Sequence, residues 1–130
     1  AAVTAARGLS ERIVAIYQPH GFGPTLFLKD EYIITLRTLF RQNDSLYLLP
    51  IYYAGGTALK NISSEDIVDG LGHVLFSAKA VSDRDELLAK LNADVRPGDC
   101  VLVMGARDPS LPALVRKIVD MFGGERGKSL

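Results

Sequence analysis

Residues 12–40 read RIVAIYQPHGFGPTLFLKDEYIITLRTLF. The stretch opens with Ile13 to Tyr17, apolar at nearly every position, as in a strand covered on both faces. It closes with a helical stripe in which Leu28, Tyr32, Leu36 and Leu39 share one face, Ile33 and Phe40 widen it, and Lys29, Asp30 and Arg37 point away. A buried strand followed by an amphipathic helix is half of a parallel β-α-β unit, and the pattern recurs downstream. Further strands are expected at Leu46 to Tyr52, His73 to Ala78 and Cys100 to Met104, all central or nearly so. Helices are expected to begin where Ser63 precedes Asp66 and Ser82 precedes Asp85, each serine as cap and each acid in the first turn. Leu111, Leu114, Val115, Ile118, Val119 and Phe122 give one more helix, stopped by Gly123 and Gly124. The fold class is α/β, with a mostly parallel sheet of at least four strands flanked by helices.

The 130 residues form a single expected domain, in which 1–11 read as a helix cut into partway and 123–130 as a polar, Gly-rich, flexible tail. Fifteen basic residues balance fifteen acidic ones, so no net field favours nucleic acid or an anionic membrane. The longest apolar run contains Pro50 and falls short of the roughly 18 residues a membrane span needs. One cysteine, Cys100, forms no intrachain disulfide and points to a reducing compartment, with cytoplasm as the default. Placed at the start of a buried strand, it reads as a small packing group.

Two long connections, from Gln18 to Leu26 and from Tyr53 to Ile62, follow the C-terminal ends of strands, the edge where open α/β sheets bind ligands. The first, QPHGFGPT, is stiffened by Pro19, Gly21, Gly23 and Pro24, and Thr25 is placed to cap the next helix. His20 is either a hydrogen-bonding or proton-handling group of a cleft, or a ring that ties the loop together. The loop lacks the Gly-Lys-Ser/Thr ending of a P-loop. In the second, Gly55 and Gly56 permit close approach or make a plain turn, and only one of Tyr52 and Tyr53 can face a given site. After the fourth strand, Gly105 and Ala106 leave room and Arg107 offers a planar fork to an anion beside the free amides of a helix start near Ser110. The alternative is that Arg107 pairs with Asp108 or a surface acid. Two histidines and one cysteine are too few for a zinc cage, with His73 at the opposite edge, and no GxSxG nucleophile is present. The first strand ends in Tyr17-Gln18-Pro19, without the acidic cluster of a phosphate-receiving signalling domain.

RIVAIYQPHGFGPTLFLKDEY, LYLLPIYYAGGTALKNISSEDIV and GDCVLVMGARDPSL resemble, in that order, the C-terminal domain of the Mur ligases, most of all the UDP-N-acetylmuramate-L-alanine ligase branch. The counterparts there are QPHRYTRT, DVYAAGE and GDVVLTMGAG. The resemblance implies a Rossmann-like domain of an enzyme that uses ATP and magnesium to activate a UDP-muramoyl carboxylate as an acyl phosphate for attack by an amino acid. The resemblance places the N-terminal and central domains, and the DDYxHxP segment at the entrance to this one, outside the sequence given. The chain alone is therefore expected to be inactive and to hold no cofactor tightly. The resemblance assigns substrate binding to His20, Thr25, Gly105 and Ala106. Gly21 and Pro24 stand where the family loop has arginines, which leaves amino-acid specificity open, and Arg107 is the expected replacement for the lost anion contact. The other reading is a non-catalytic ligand-binding or interaction domain of the same fold.

Overall fold

A computed structural model describes residues 2–52, 62–105, 108–122 and 128–129. In it the apolar run after Arg12 becomes strand β1 (Ile13–Gln18), preceded by helix α1 (Ala2–Arg7). Ile13, Val14, Ala15 and Ile16 are fully buried, as a strand packed on both sides must be. There follow α2 (Phe22–Phe27), α3 (Lys29–Leu39), β2 (Ser45–Leu48), α4 (Ser64–Leu71), β3 (Ser77–Ala80) and α5 (Arg84–Asp94). The chain continues through β4 (Cys100–Gly105), α6 (Leu111–Phe122) and the short β5 (Lys128–Ser129).

The strands lie in the order β3-β2-β1-β4-β5 and every neighbouring pair is parallel. Alternate residues of each central strand feed two separate cores, because successive side chains point to opposite faces. Ile13 and Ala15 of β1, Leu46 and Leu48 of β2, and Cys100 and Leu102 of β4 pack with α1, α3 and α4. Val14, Ile16, Tyr47 and Val101 face α5 and α6 through Leu87, Leu91, Leu114, Ile118 and Phe122. The α/β three-layer expectation is met.

This layering sets the direction in which the chain leaves each strand. The connections from β1 to β2 and β2 to β3 run over one face, through α3 and α4; those from β3 to β4 and β4 to β5 run over the other, through α5 and α6. The chain therefore leaves the C-terminal ends of β1 and β4 in opposite directions. The crevice between two such diverging strands is the ligand position of open α/β sheets.

Several local expectations are corrected. The third strand is Ser77–Ala80 rather than His73 to Ala78, and it lies at the sheet edge with alternating exposure. His73 is exposed and precedes the strand. The second strand stops at Leu48, short of Pro50, and Tyr52 rejoins the sheet only through an isolated bridge to His20. The segment read as loop up to Leu26 contains α2, whose Pro24 sits in the first turn, where its missing N–H costs nothing. Thr25 lies inside that helix and caps nothing. The cap of α5 is Asp83, accepting from the Glu86 N–H, rather than Ser82, whose own N–H donates to the Glu86 carboxylate. Ser63 and Asp66, by contrast, form the reciprocal capping box at α4. Lys128 and Ser129, placed in a frayed tail by the sequence, pair with Cys100 and Val101.

Candidate functional site

The rim is built where β1 gives way to the QPHGFGPT loop. Pairing with the segment after β2 continues past the strand: the Leu49 N–H donates to the Tyr17 carbonyl at 2.9 Å, Tyr52 to Pro19 at 2.8 Å, and Gly21 to Tyr52 at 2.9 Å. These bonds hold His20 beside Tyr52, with the two rings stacked at 6.1 Å between centroids and 26° apart. His20 is only partly buried, and its ring ties the loop to the segment after β2. Gly21 then turns the chain into α2 at φ 77°, a conformation that a side chain would strain.

Across the crevice, Gly105 at the end of β4 pairs with Gln18. A Cβ on Gly105 would lie 3.0 Å from Leu111 Cδ1 and 3.3 Å from the Gln18 carbonyl oxygen, so a side chain there would have to push Leu111 or the β1 backbone aside.

Asp108 organises the next turn. Its Oδ1 accepts from the Ser110 N–H at 2.8 Å and the Ser110 hydroxyl at 2.6 Å, and its Oδ2 takes Arg84 Nη2 at 3.0 Å. The Leu111 N–H is used by the Asp108 carbonyl and that of Ala113 by Ser110, while position 112 is a proline. The α6 start therefore offers no free amide to an anion, contrary to the sequence reading: the protein's own carboxylate occupies it. Burial opposes the charge on Asp108, but Ser110, Arg84 and the Gln18 amide outweigh it and hold the pKa below the usual carboxylate range. Nor does Asp108 wait for Arg107, since Arg84 from the start of α5 already pairs with it.

Of the residues singled out from the sequence, the structure brings His20 and Gly105 to one edge, on neighbouring strands. Thr25 is wholly buried under that edge, its hydroxyl without a partner. Ala106, Arg107, Tyr53, Gly55 and Gly56 lie outside the described residues. Sequence reasoning missed Gln18, Asp108 and Arg84. A polar residue closing an otherwise apolar strand was the available signal for Gln18, and Asp-Pro-Ser before a helix the signal for Asp108. Nothing in sequence spacing links Arg84 to either.

The opposite edge of the sheet is chemically quiet. A cavity of about 640 Å³ lies there, but its floor is Arg12 paired with Asp94, whose other oxygen takes the Tyr47 hydroxyl at 2.7 Å. Cys100 is buried and unpaired, and burial pushes its thiol pKa up, away from reactivity. Among the described residues, no three His, Cys, Asp or Glu gather as a metal site would need. No described helix is long and apolar enough to cross a membrane.

No protein-family model matches the chain. Curated proteins do. It is 34% identical over 103 residues to the UDP-N-acetylmuramate-L-alanine ligase of Syntrophotalea carbinolica, covering 78% of this chain and 22% of that protein. The enzymes of the same name from Dinoroseobacter shibae and Novosphingobium aromaticivorans are 36% and 35% identical, over 82% and 83% of this chain and again 22% of their own length. Over about four-fifths of its length this chain is homologous to the Mur ligases. It spans little more than a fifth of the length of the Mur ligases it matches.

Proposed function

We propose that the chain is the C-terminal domain of an ATP-dependent UDP-N-acetylmuramate-amino acid ligase of peptidoglycan-precursor synthesis, the part that positions the amino acid and closes over ATP. The reaction joins the muramoyl carboxylate, activated as an acyl phosphate, to the amino acid's amine. The observation that carries this reading is the meeting of two of the three family-like segments, at His20 and Gly105, on one rim of a switch-point crevice. The domain lends one wall. Bringing amine, acyl phosphate and nucleotide together needs the N-terminal and central domains as well, so the isolated chain is expected not to turn over.

The described residues do not fit a magnesium site: the acid that follows β4, Asp108, is already engaged by Ser110 and Arg84. In this reading the metal belongs to the remainder of the ligase, and the compartment is the cytoplasm, where ATP and the nucleotide-sugar substrate are found. No nucleic acid or membrane partner is involved. Arg107 takes the place of the family arginines that Gly21 and Pro24 replace, and holds the amino acid's carboxylate.

The test is phosphate release by the full-length protein supplied with ATP, magnesium, UDP-N-acetylmuramate and single amino acids. Turnover by the full-length protein and none by the chain alone is expected, with Arg107→Ala raising the amino-acid KM about tenfold or more. No turnover with any amino acid would replace this reading with that of a non-catalytic binding domain. An unchanged KM in Arg107→Ala would remove that residue alone.

A further inference from the structure

The outer face of the helix pair that follows the rim carries an apolar stripe. α2 and α3 meet at Leu28 with helical bonds on both sides of it, the Leu28 N–H to the Pro24 carbonyl at 3.0 Å and the Tyr32 N–H to the Leu28 carbonyl at 2.9 Å. Burial keeps one phase through the junction: Thr25, Ile33 and Leu36 are buried, while Phe27 and Ile34 are 87% and 62% exposed. Residues three, four and seven positions apart share a helix face, so the exposed Asp30 and Glu31 fall between Phe27 and Ile34 on the same stripe. Neither acid enters an ion pair among the described residues. Single exposed apolar residues, such as Leu9 and Leu75, are ordinary on a protein surface. Phe27 and Ile34 on one stripe are not, because the solvent side of a helix packed on a sheet is normally polar.

We infer that this face, Phe27 and Ile34 with Asp30 and Glu31, is a docking surface for the remainder of the same ligase chain, which meets it with an apolar pocket bordered by lysine or arginine. The inference rests on the function proposed above and adds the surface by which the domain is held against the rest of the enzyme. This chain spans about a fifth of the Mur ligases it matches, so most of the enzyme lies outside it. The face also starts beside the crevice: α2 leaves the rim at Gly21 and its six residues rise about 9 Å, so a body that closes on the rim reaches Phe27. The area decides against a second copy. The two side chains leave on the order of 300 Å² of apolar surface open, the size of a contact patch on a monomer. A stable complex of separate chains needs about 800 Å² from each. A symmetric pairing would moreover set Asp30 and Glu31 against their own equivalents. A body tethered in the same chain docks through a small patch because its effective concentration is high, and unpaired acids favour a basic border on it.

The experiment compares the full-length ligase with its Phe27→Ser, Ile34→Ser and Glu31→Lys variants. Turnover should fall about tenfold in each serine variant and about threefold in Glu31→Lys. Because these side chains are exposed, the thermal midpoint of the 130-residue chain should move by less than about 2 °C in every variant. Unchanged turnover in either serine variant overturns the inference, and unchanged turnover in Glu31→Lys removes the basic border from it. A lowered midpoint also overturns it, by making these residues part of the domain's own fold. So does sedimentation of the chain as a dimer that Phe27→Ser dissociates, since the face then belongs to a second copy. If the wild-type full-length protein shows no turnover with any amino acid, the functional reading fails by itself, and hydrogen exchange judges the surface. Slower exchange of the backbone amides of residues 26–35 in the full-length protein than in this chain supports docking, and equal exchange rejects it.

Discussion

Where the strands begin, Asp44 receives Arg7 through both oxygens, at 3.0 and 2.6 Å, and the backbone N–H groups of Ile13 and Arg41 at 2.9 and 2.8 Å. Beside it, Arg12 spreads its guanidinium over Asp94, Asp99, Ser45 and the Asn43 and Asp94 carbonyls. Where the strands end, Gln18 and Thr25 each keep a buried oxygen with no partner, the two such side-chain atoms among the described residues. The same sheet thus satisfies its polar groups completely at one edge and leaves them open at the other. A protein that can pair buried groups this fully near Arg12 does not fail to do so near Gln18 for want of means. The open edge is where stability has been given up, because each unpaired buried acceptor costs folding free energy.

The largest effect should come from the paired edge. Asp44→Ala strands Arg7 and two backbone donors in a region where the Asp44 side chain is 1% exposed. Losing one partner of a buried ion pair costs about 3–5 kcal/mol, and chemical denaturation should read a loss of that order. A loss under about 1 kcal/mol would mean that the edge is no more than an ordinary surface pair.

Acid provides a graded version of the same comparison. Burial works against the charge of Asp44 and of Asp94. Arg7 with the Ile13 and Arg41 amides outweighs it at the first, and Tyr47, Ser45 and Arg12 at the second, so both native pKa values lie below the ordinary range. A depressed native pKa means that the unfolded chain binds protons first. The stability from these groups is complete above the unfolded value, near pH 4, and drains away as pH falls through the native ones. The thermal midpoint should therefore drop on acidification below about pH 4, and less steeply in Asp44→Ala, which has lost one of the carboxylates with a depressed pKa. Parallel curves for the two proteins would place the acid sensitivity elsewhere.

How much of this could be read from the sequence follows the range over which each feature is encoded. β1, β4 and α6 announce themselves by local patterns, an unbroken apolar run or a clean helical stripe, and their boundaries agree with the structure to within a residue. The third strand misled because Val74 and Phe76, which pack on the core from irregular chain, look more like a strand than the Ser-Ala-Lys-Ala that forms one at the edge. α2 was hidden by Gly23 and Pro24, residues that usually mark loops yet are tolerated in a first turn. The strand ends and the connections that leave them were legible, since both follow from parallel topology. The Arg84 and Asp108 pair was not: its members are 24 positions apart and meet only because α5 and the turn before α6 converge.

The smallest effect, and the most discriminating, belongs to the open edge. Thr25 is 0% exposed on α2 and its hydroxyl is orphaned. Thr25→Val replaces that hydroxyl with a methyl of nearly the same size and keeps the β-branch that suits the packed position. Most substitutions of a fully buried residue destabilise, but here the change removes an unpaired polar group and creates no cavity. The variant should gain about 1 kcal/mol. A gain accompanied by weaker amino-acid use in the full-length ligase would mean that the hydroxyl is kept for the ligand at the expense of the fold. A gain with unchanged activity would leave Thr25 no ligand-facing role. A loss of stability would show that Thr25 is paired after all, and with it the contrast between the two edges would weaken to the single oxygen of Gln18.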